Sequence, residues 1–148
     1  MSINANPFGS DITTDDIVDT LSFFDDWEER YKYIIDLGKQ LPAMKDEKKT
    51  EEFLLRGCQS QVWLSHTYDK ETGIMYVLLE SDAIIVKGLA AIVLAALNAK
   101  TPQAIIDEDV EALFTKMDLM RHISPTRGNG LRSMLERIKT TAKMHLAA

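Results

Sequence analysis

Apolar residues recur along this chain with two different periods, and the switch between them marks out its elements. Ile17, Val18, Leu21 and Phe24 fall at helical spacing behind Thr13 or Thr14, with Asp15 and Asp16 in the first turn, so a helix begins there. Asp25 or Asp26 opens a second helix striped by Trp27, Tyr31, Ile34 and Ile35, and Gly38 suits the left-handed conformation that ends one. Leu41-Pro42 then turns the chain. The run KDEKKTEE, Lys45 to Glu52, reads as a solvated loop or a short exposed helix.

From Gln61 the period falls to two. Val62, Leu64, His66 and Tyr68 alternate with Trp63, Ser65 and Thr67, and Met75, Val77 and Leu79 alternate with Ile74, Tyr76, Leu78 and Glu80. The intervening Asp69-Lys70-Glu71-Thr72-Gly73 makes the two runs an antiparallel hairpin. Phe53 to Arg56 is expected to add a third, shorter strand. Helical spacing returns afterwards. Ser81 is placed to cap an apolar helix from Asp82 to Leu97, Thr101-Pro102 opens a short helix, and Val110 to Met117 forms another. Ser124 to Gly130 reads as a loop before a last helix striped by Leu131, Met134, Leu135, Ile138 and Ala142.

A small antiparallel sheet needs cover, and helices on both sides of it in sequence supply that cover. The expected fold is α+β in two layers: an antiparallel sheet of about three strands packed against several helices. Its core should hold Trp27, Tyr31, Ile34, Val62, Leu64, Ile85, Leu89, Ile92, Val93, Leu131 and Leu135. The 148 residues suit a single domain, 1–148, with residues 1–12 as a loosely packed arm and no repeat or linker.

Composition narrows the function classes. With 45% hydrophobic and 27% charged residues, the chain is neither low-complexity nor collagen-like. Its longest apolar stretch is interrupted by Lys87 and Gly88 and falls short of the roughly 18 to 20 residues of a membrane span. No basic-then-apolar leader opens the sequence, so a cytoplasmic location and no membrane partner are expected. The net charge of −6 is uneven: residues 1–52 hold 13 acids against 6 bases, residues 53–148 hold 10 against 11. The basic end after Asp118 contains no aromatic residue, which argues against nucleic acid and for a solvated helix face. Three scattered histidines and one cysteine offer no metal-ligand spacing, and the phosphate-loop, dinucleotide, zincin and serine-hydrolase motifs are absent. No metal and no cofactor are expected in this chain.

That leaves Cys58, which follows Gly57 just ahead of the hairpin. A lone cysteine is more often a small buried hydrophobe than a nucleophile. A nucleophilic role needs a thiolate stabilised by a nearby cation, for which Arg56, His66, Lys87, Arg121 and Arg127 qualify by charge.

The run Gly57-Cys58-Gln59-Ser60-Gln61-Val62-Trp63, then Ser81 to Leu89 (SDAIIVKGL), then Ser124 to Leu131 (SPTRGNGL), resembles the SufE/CsdE family of sulfur acceptors. Trp27-Glu28-Glu29-Arg30-Tyr31 and Leu37 to Pro42 extend the resemblance over nearly the whole chain. Asn6-Pro7-Phe8-Gly9 is similar to the CsdE branch, whereas the cysteine run is closer to SufE. The resemblance implies that Cys58 takes persulfide sulfur from a cysteine desulfurase of the SufS or CsdA type, stimulates that enzyme, and relays the sulfur to iron-sulfur cluster assembly or another acceptor. Pyridoxal phosphate would belong to the desulfurase. Gly57, Gln59, Ser60, Gln61, Asp82 and Arg127 would support the cysteine or meet the partner, and Cys58 would rest partly buried between encounters. The chain would then be an accessory protein and not a stand-alone enzyme. Two alternatives stand beside this: a regulatory interaction module, and an independent cysteine-nucleophile enzyme.

Overall fold

A computed structural model describes residues 6–42, 44, 49, 54–55, 61–119 and 121–147. Thr13 caps α1 (Thr14–Ser22) through a reciprocal pair, its hydroxyl accepting from the Asp16 N–H while the Asp16 carboxylate accepts from the Thr13 N–H. Asp26 caps α2 (Trp27–Lys39), accepting from the Glu29 N–H at 2.9 Å. Strands β1 (Val62–Asp69) and β2 (Ile74–Ser81) pair antiparallel, from Val62 opposite Ser81 to Asp69 opposite Ile74. Gly73, at a φ of +74°, turns the chain between them and donates its N–H to the Asp69 carbonyl. Then come α3 (Ile84–Leu97), α4 (Pro102–Asp107), α5 (Val110–Lys116) and α6 (Pro125–Ala147).

The fold is α+β: among the described residues, six helices and a two-stranded antiparallel sheet that packs chiefly against α3. Of the third strand expected at 53–56, Leu54 forms an antiparallel bridge with Trp63, and residues 53 and 56 lie outside the described ones. Helix α3 is the hub: it packs against α1, α2, α6 and β2, and every residue from Gly88 to Leu97 is buried. Eight of the eleven expected core residues are buried, while Trp27, Tyr31 and Ile85 lie half-exposed at the edge.

Three local expectations are not met. Gly38 does not end α2; it lies inside the helix and faces Gly88 of α3, where a Cβ on Gly38 would come within 2.6 Å of the Gly88 nitrogen. The two glycines let the helix backbones approach to a distance that no side chain permits. Ser81 ends β2 and is separated from α3 by two residues, and Ala83 stands at the helix N-cap without a side-chain bond. Ser124 to Gly130 is no loop, because the Ser124 hydroxyl and carbonyl accept from the N–H groups of Arg127 and Gly128, and Pro125 starts α6 behind them.

The N-terminal segment from Asn6 is packed down, not loose. Phe8 is fully buried, its N–H donates to the Asn6 side chain, and its carbonyl accepts from Asn98 Nδ2 at 2.8 Å. Asn6 Nδ2 donates in turn to the Val77 carbonyl. Among the described residues no helix is long and apolar enough to cross a membrane.

Candidate functional site

Gly57, Cys58, Gln59 and Ser60 lie outside the described residues, as does Arg56, so the expected burial of Cys58 does too. The two ends that frame this segment are well defined. On one side the Leu55 N–H donates to the Val62 carbonyl at 2.7 Å, next to the Leu54–Trp63 bridge. On the other, Gln61 has its whole backbone engaged: its N–H donates to Asp82 Oδ1 at 3.1 Å, and its carbonyl accepts from Ser81 Oγ at 2.8 Å and from the Asp82 N–H at 3.3 Å. Ser81 Oγ also accepts from the Ala83 N–H, so one hydroxyl ties the end of β2, the start of α3 and the entry to β1.

The structure therefore joins two predicted site residues, Gln61 and Asp82, and gives Asp82 a definite task. Its carboxylate is the acceptor that closes the C-terminal end of the cysteine segment. The sequence motif marks Ser81 and Asp82 only as a helix start; their bonds to Gln61, twenty residues earlier, are invisible to local reasoning.

Behind this corner Glu80 is buried, with Oε1 3.4 Å from Lys87 Nζ and accepting from the Ser81 N–H at 3.0 Å. Burying a carboxylate is costly unless it is paired and hydrogen-bonded, and this one is both. Ile84, the first residue of α3, is left 65% exposed beside Asp82.

Arg127 sits apart, exposed in the first turn of α6, and no described contact links it to Gln61 or Asp82. That turn contains no acidic residue, so the guanidinium adds to the positive end of the helix dipole. Such an arrangement does nothing for helix stability. What fixes this end of α6 is a cluster the sequence did not reveal. The Tyr31 hydroxyl donates to the His122 carbonyl, the Trp27 ring stacks on the His122 imidazole at 3.8 Å and 18°, and the Arg30 guanidinium lies 5.1 Å from the Trp27 ring centre. His122 Nε2 also lies 3.5 Å from Asp118 Oδ2.

The cations considered for the thiol now separate. Lys87 is committed to Glu80, and Arg121 faces Asp118 at 3.5 Å. His66 meets His145, and partial desolvation of the ring, with His145 and Arg137 nearby, holds its pKa below the ordinary 6.5 and favours the neutral ring. Arg127 has no side-chain hydrogen bond or ion pair with another described residue. Among the described residues no group of three or more His, Cys, Asp or Glu converges as a metal site.

Comparisons with known proteins identify the family. An uncharacterised SufE-like protein of Rhizobium etli is 48% identical over 136 residues, covering 90% of this chain and 92% of that one. Another from Rhizobium meliloti is 47% identical over the same length, covering 90% and 97%. The solution structure of a hypothetical protein from Thermus thermophilus superposes with a TM-score of 0.73 over 91% of this chain and 96% of its own, at 16% identity, a likeness of fold. Residues 15–142 match SufE, the Fe-S metabolism associated domain. The block of the cysteine run, the clasp at Ser81-Asp82 and the Arg127 turn all fall within that span, and the chain belongs to the SufE family.

Proposed function

We propose that this protein accepts and carries sulfur for iron-sulfur metabolism, with Cys58 as the acceptor. The observation that carries the reading is the pair of anchors at Leu55 and Gln61, which hold both ends of the segment bearing the chain's single cysteine against a rigid hairpin. In the reaction the Cys58 thiolate attacks the outer sulfur of a persulfide on a cysteine desulfurase. The S–S bond breaks, the desulfurase thiolate leaves, and Cys58 carries the persulfide, with no net oxidation. The same exchange in reverse hands the sulfur to a scaffold or other acceptor. A second thiol in the chain would resolve the persulfide into a disulfide, and the sequence has none.

Pyridoxal phosphate belongs to the desulfurase, which is of the SufS or CsdA type. Gln59, Ser60 and Ile84 lie in or beside the segment and meet that partner, while Arg127 contributes a cation to the encounter. A cytoplasmic setting, where thiols stay reduced, suits the exchange.

Incubating the protein with a cysteine desulfurase and L-cysteine is expected to add one sulfur, about 32 mass units, to the wild type and none to Cys58→Ser. Intact-mass spectrometry reads the result, and equal masses for both proteins with either desulfurase would overturn the proposal. Asp82→Ala removes one hydrogen bond worth about 1 kcal/mol, so alkylation of Cys58 by iodoacetamide in the free protein is expected to quicken about fivefold while the mass gain persists. An unchanged alkylation rate would show that the Asp82 clasp does not govern access to the thiol.

A further inference from the structure

We propose that His66 and His145 form a two-ligand site for a divalent transition metal such as zinc or nickel, where the last turns of α6 meet β1. The sequence holds these residues 79 positions apart, yet their Nε2 atoms lie 3.1 Å from each other. The rings meet edge to face at 67°, with centres 5.3 Å apart. Two metal-nitrogen bonds of about 2.0–2.1 Å spanning that separation enclose an angle of about 100°, between the square-planar and tetrahedral values.

Both donors are held by the fold. His66 is fixed in the hairpin opposite Val77. The His145 ring stacks at 4.4 Å and 23° on Tyr68, which shares a face of β1 with His66. Two imidazoles restrained by separate elements chelate with less loss of freedom than two from flexible chain ends. His66 is exposed and His145 half-buried, so the remaining coordination positions open to solvent and accept water or an outside ligand.

The surroundings select the metal class. No carboxylate completes the pair among the described residues, and the positive charge of Arg137 reaches His66. Hard cations that depend on oxygen ligands, magnesium and calcium, find nothing here. Binding must come from the strength of imidazole bonds, which favours zinc, nickel and copper. The competing arrangement is a plain hydrogen bond between two neutral rings, one Nε2–H donating to the other Nε2. Metal requires instead that both rings carry their proton on Nδ1, so the two arrangements are distinguishable.

The test uses the full chain with Cys58→Ser, so that the thiol supplies no ligand. Zinc and nickel are titrated separately by calorimetry and zinc also by NMR of the imidazole C–H signals, with magnesium as control. The expected result is one saturable zinc or nickel per chain, with His66 and His145 responding together, His122 unmoved and magnesium inert. His66→Gln and His145→Gln should each weaken binding about tenfold or more, with unfolding curves confirming that both variants fold. No saturation below about 1 mM, equal binding by the single variants, or a uniform response of all three histidines would overturn the site.

Discussion

Gly88→Ala is expected to lower the midpoint of thermal unfolding by roughly 6–12 °C, an effect opposite to the usual one for this substitution. Inside a helix, alanine in place of glycine normally gains about 1 kcal/mol. Here the added Cβ would lie 2.4 Å from the Ile34 carbonyl oxygen and 2.6 Å from Ile34 Cγ2. The first of these is backbone and cannot swing away, so α2 and α3 must separate along their whole contact. Overpacking of this kind costs about 3 kcal/mol or more, which outweighs the gain in propensity. Gly73→Ala is the control: no atom lies within 4 Å of its Cβ position, so only the strain of a positive φ, about 1 kcal/mol, is felt. Thermal melts of the three proteins check the order. A Gly88→Ala protein as stable as wild type would mean that the helices tolerate a wider spacing.

Asn98→Ala is expected to destabilise by about 2–5 kcal/mol and to release the N-terminal segment. Asn98 is 1% exposed; its Oδ1 accepts from the Val77 N–H at 2.7 Å, and its Nδ2 donates to the Phe8 carbonyl at 2.8 Å. Alanine strands a buried donor on β2 and a buried acceptor beside Phe8 together. Each unsatisfied group carries its full desolvation cost, which exceeds what the intact bond contributes. Hydrogen exchange at the Val77 amide and proteolysis before residue 12 should both accelerate. If stability falls but the segment stays protected, Phe8 burial alone holds it in place.

Much of the fold is legible in the sequence where local chemistry and tertiary structure agree. Thr13 and Asp26 cap the helices they precede, Thr101-Pro102 opens α4, and the Gly73 turn sets the hairpin. The misreadings occur where a residue with a familiar local role serves a distant contact. Gly38 has the signature of a helix stop but makes room for Gly88. The Ser-Pro pair at 124–125 opens a helix whose next turns contain two glycines, so a loop is the natural local reading until Gly128 and Gly130 are seen buried. Phe8 sits in a short polar stretch with no periodicity, and only the Asn6 and Asn98 amides reveal that it belongs to the core.

At the candidate site the division is similar. The cysteine run and the Ser81-Asp82 block can be recognised as motifs, but their bond across Gln61 joins residues twenty positions apart. The Tyr31–His122 and His66–His145 contacts span still longer separations and follow no spacing rule.

The Gln61 backbone has a consequence for how this chain tolerates change. Because its N–H and carbonyl are spoken for by Asp82 and Ser81, and Leu55 is bonded to Val62, the seam at the base of the cysteine segment closes independently of what lies between. Residues inserted there add only about 0.6 kcal/mol of closure cost for each doubling of the segment's length. The hairpin register and the core beneath it are insulated from such grafts, so the reach of the thiol can be lengthened or retargeted to a differently shaped donor while the scaffold stays the same.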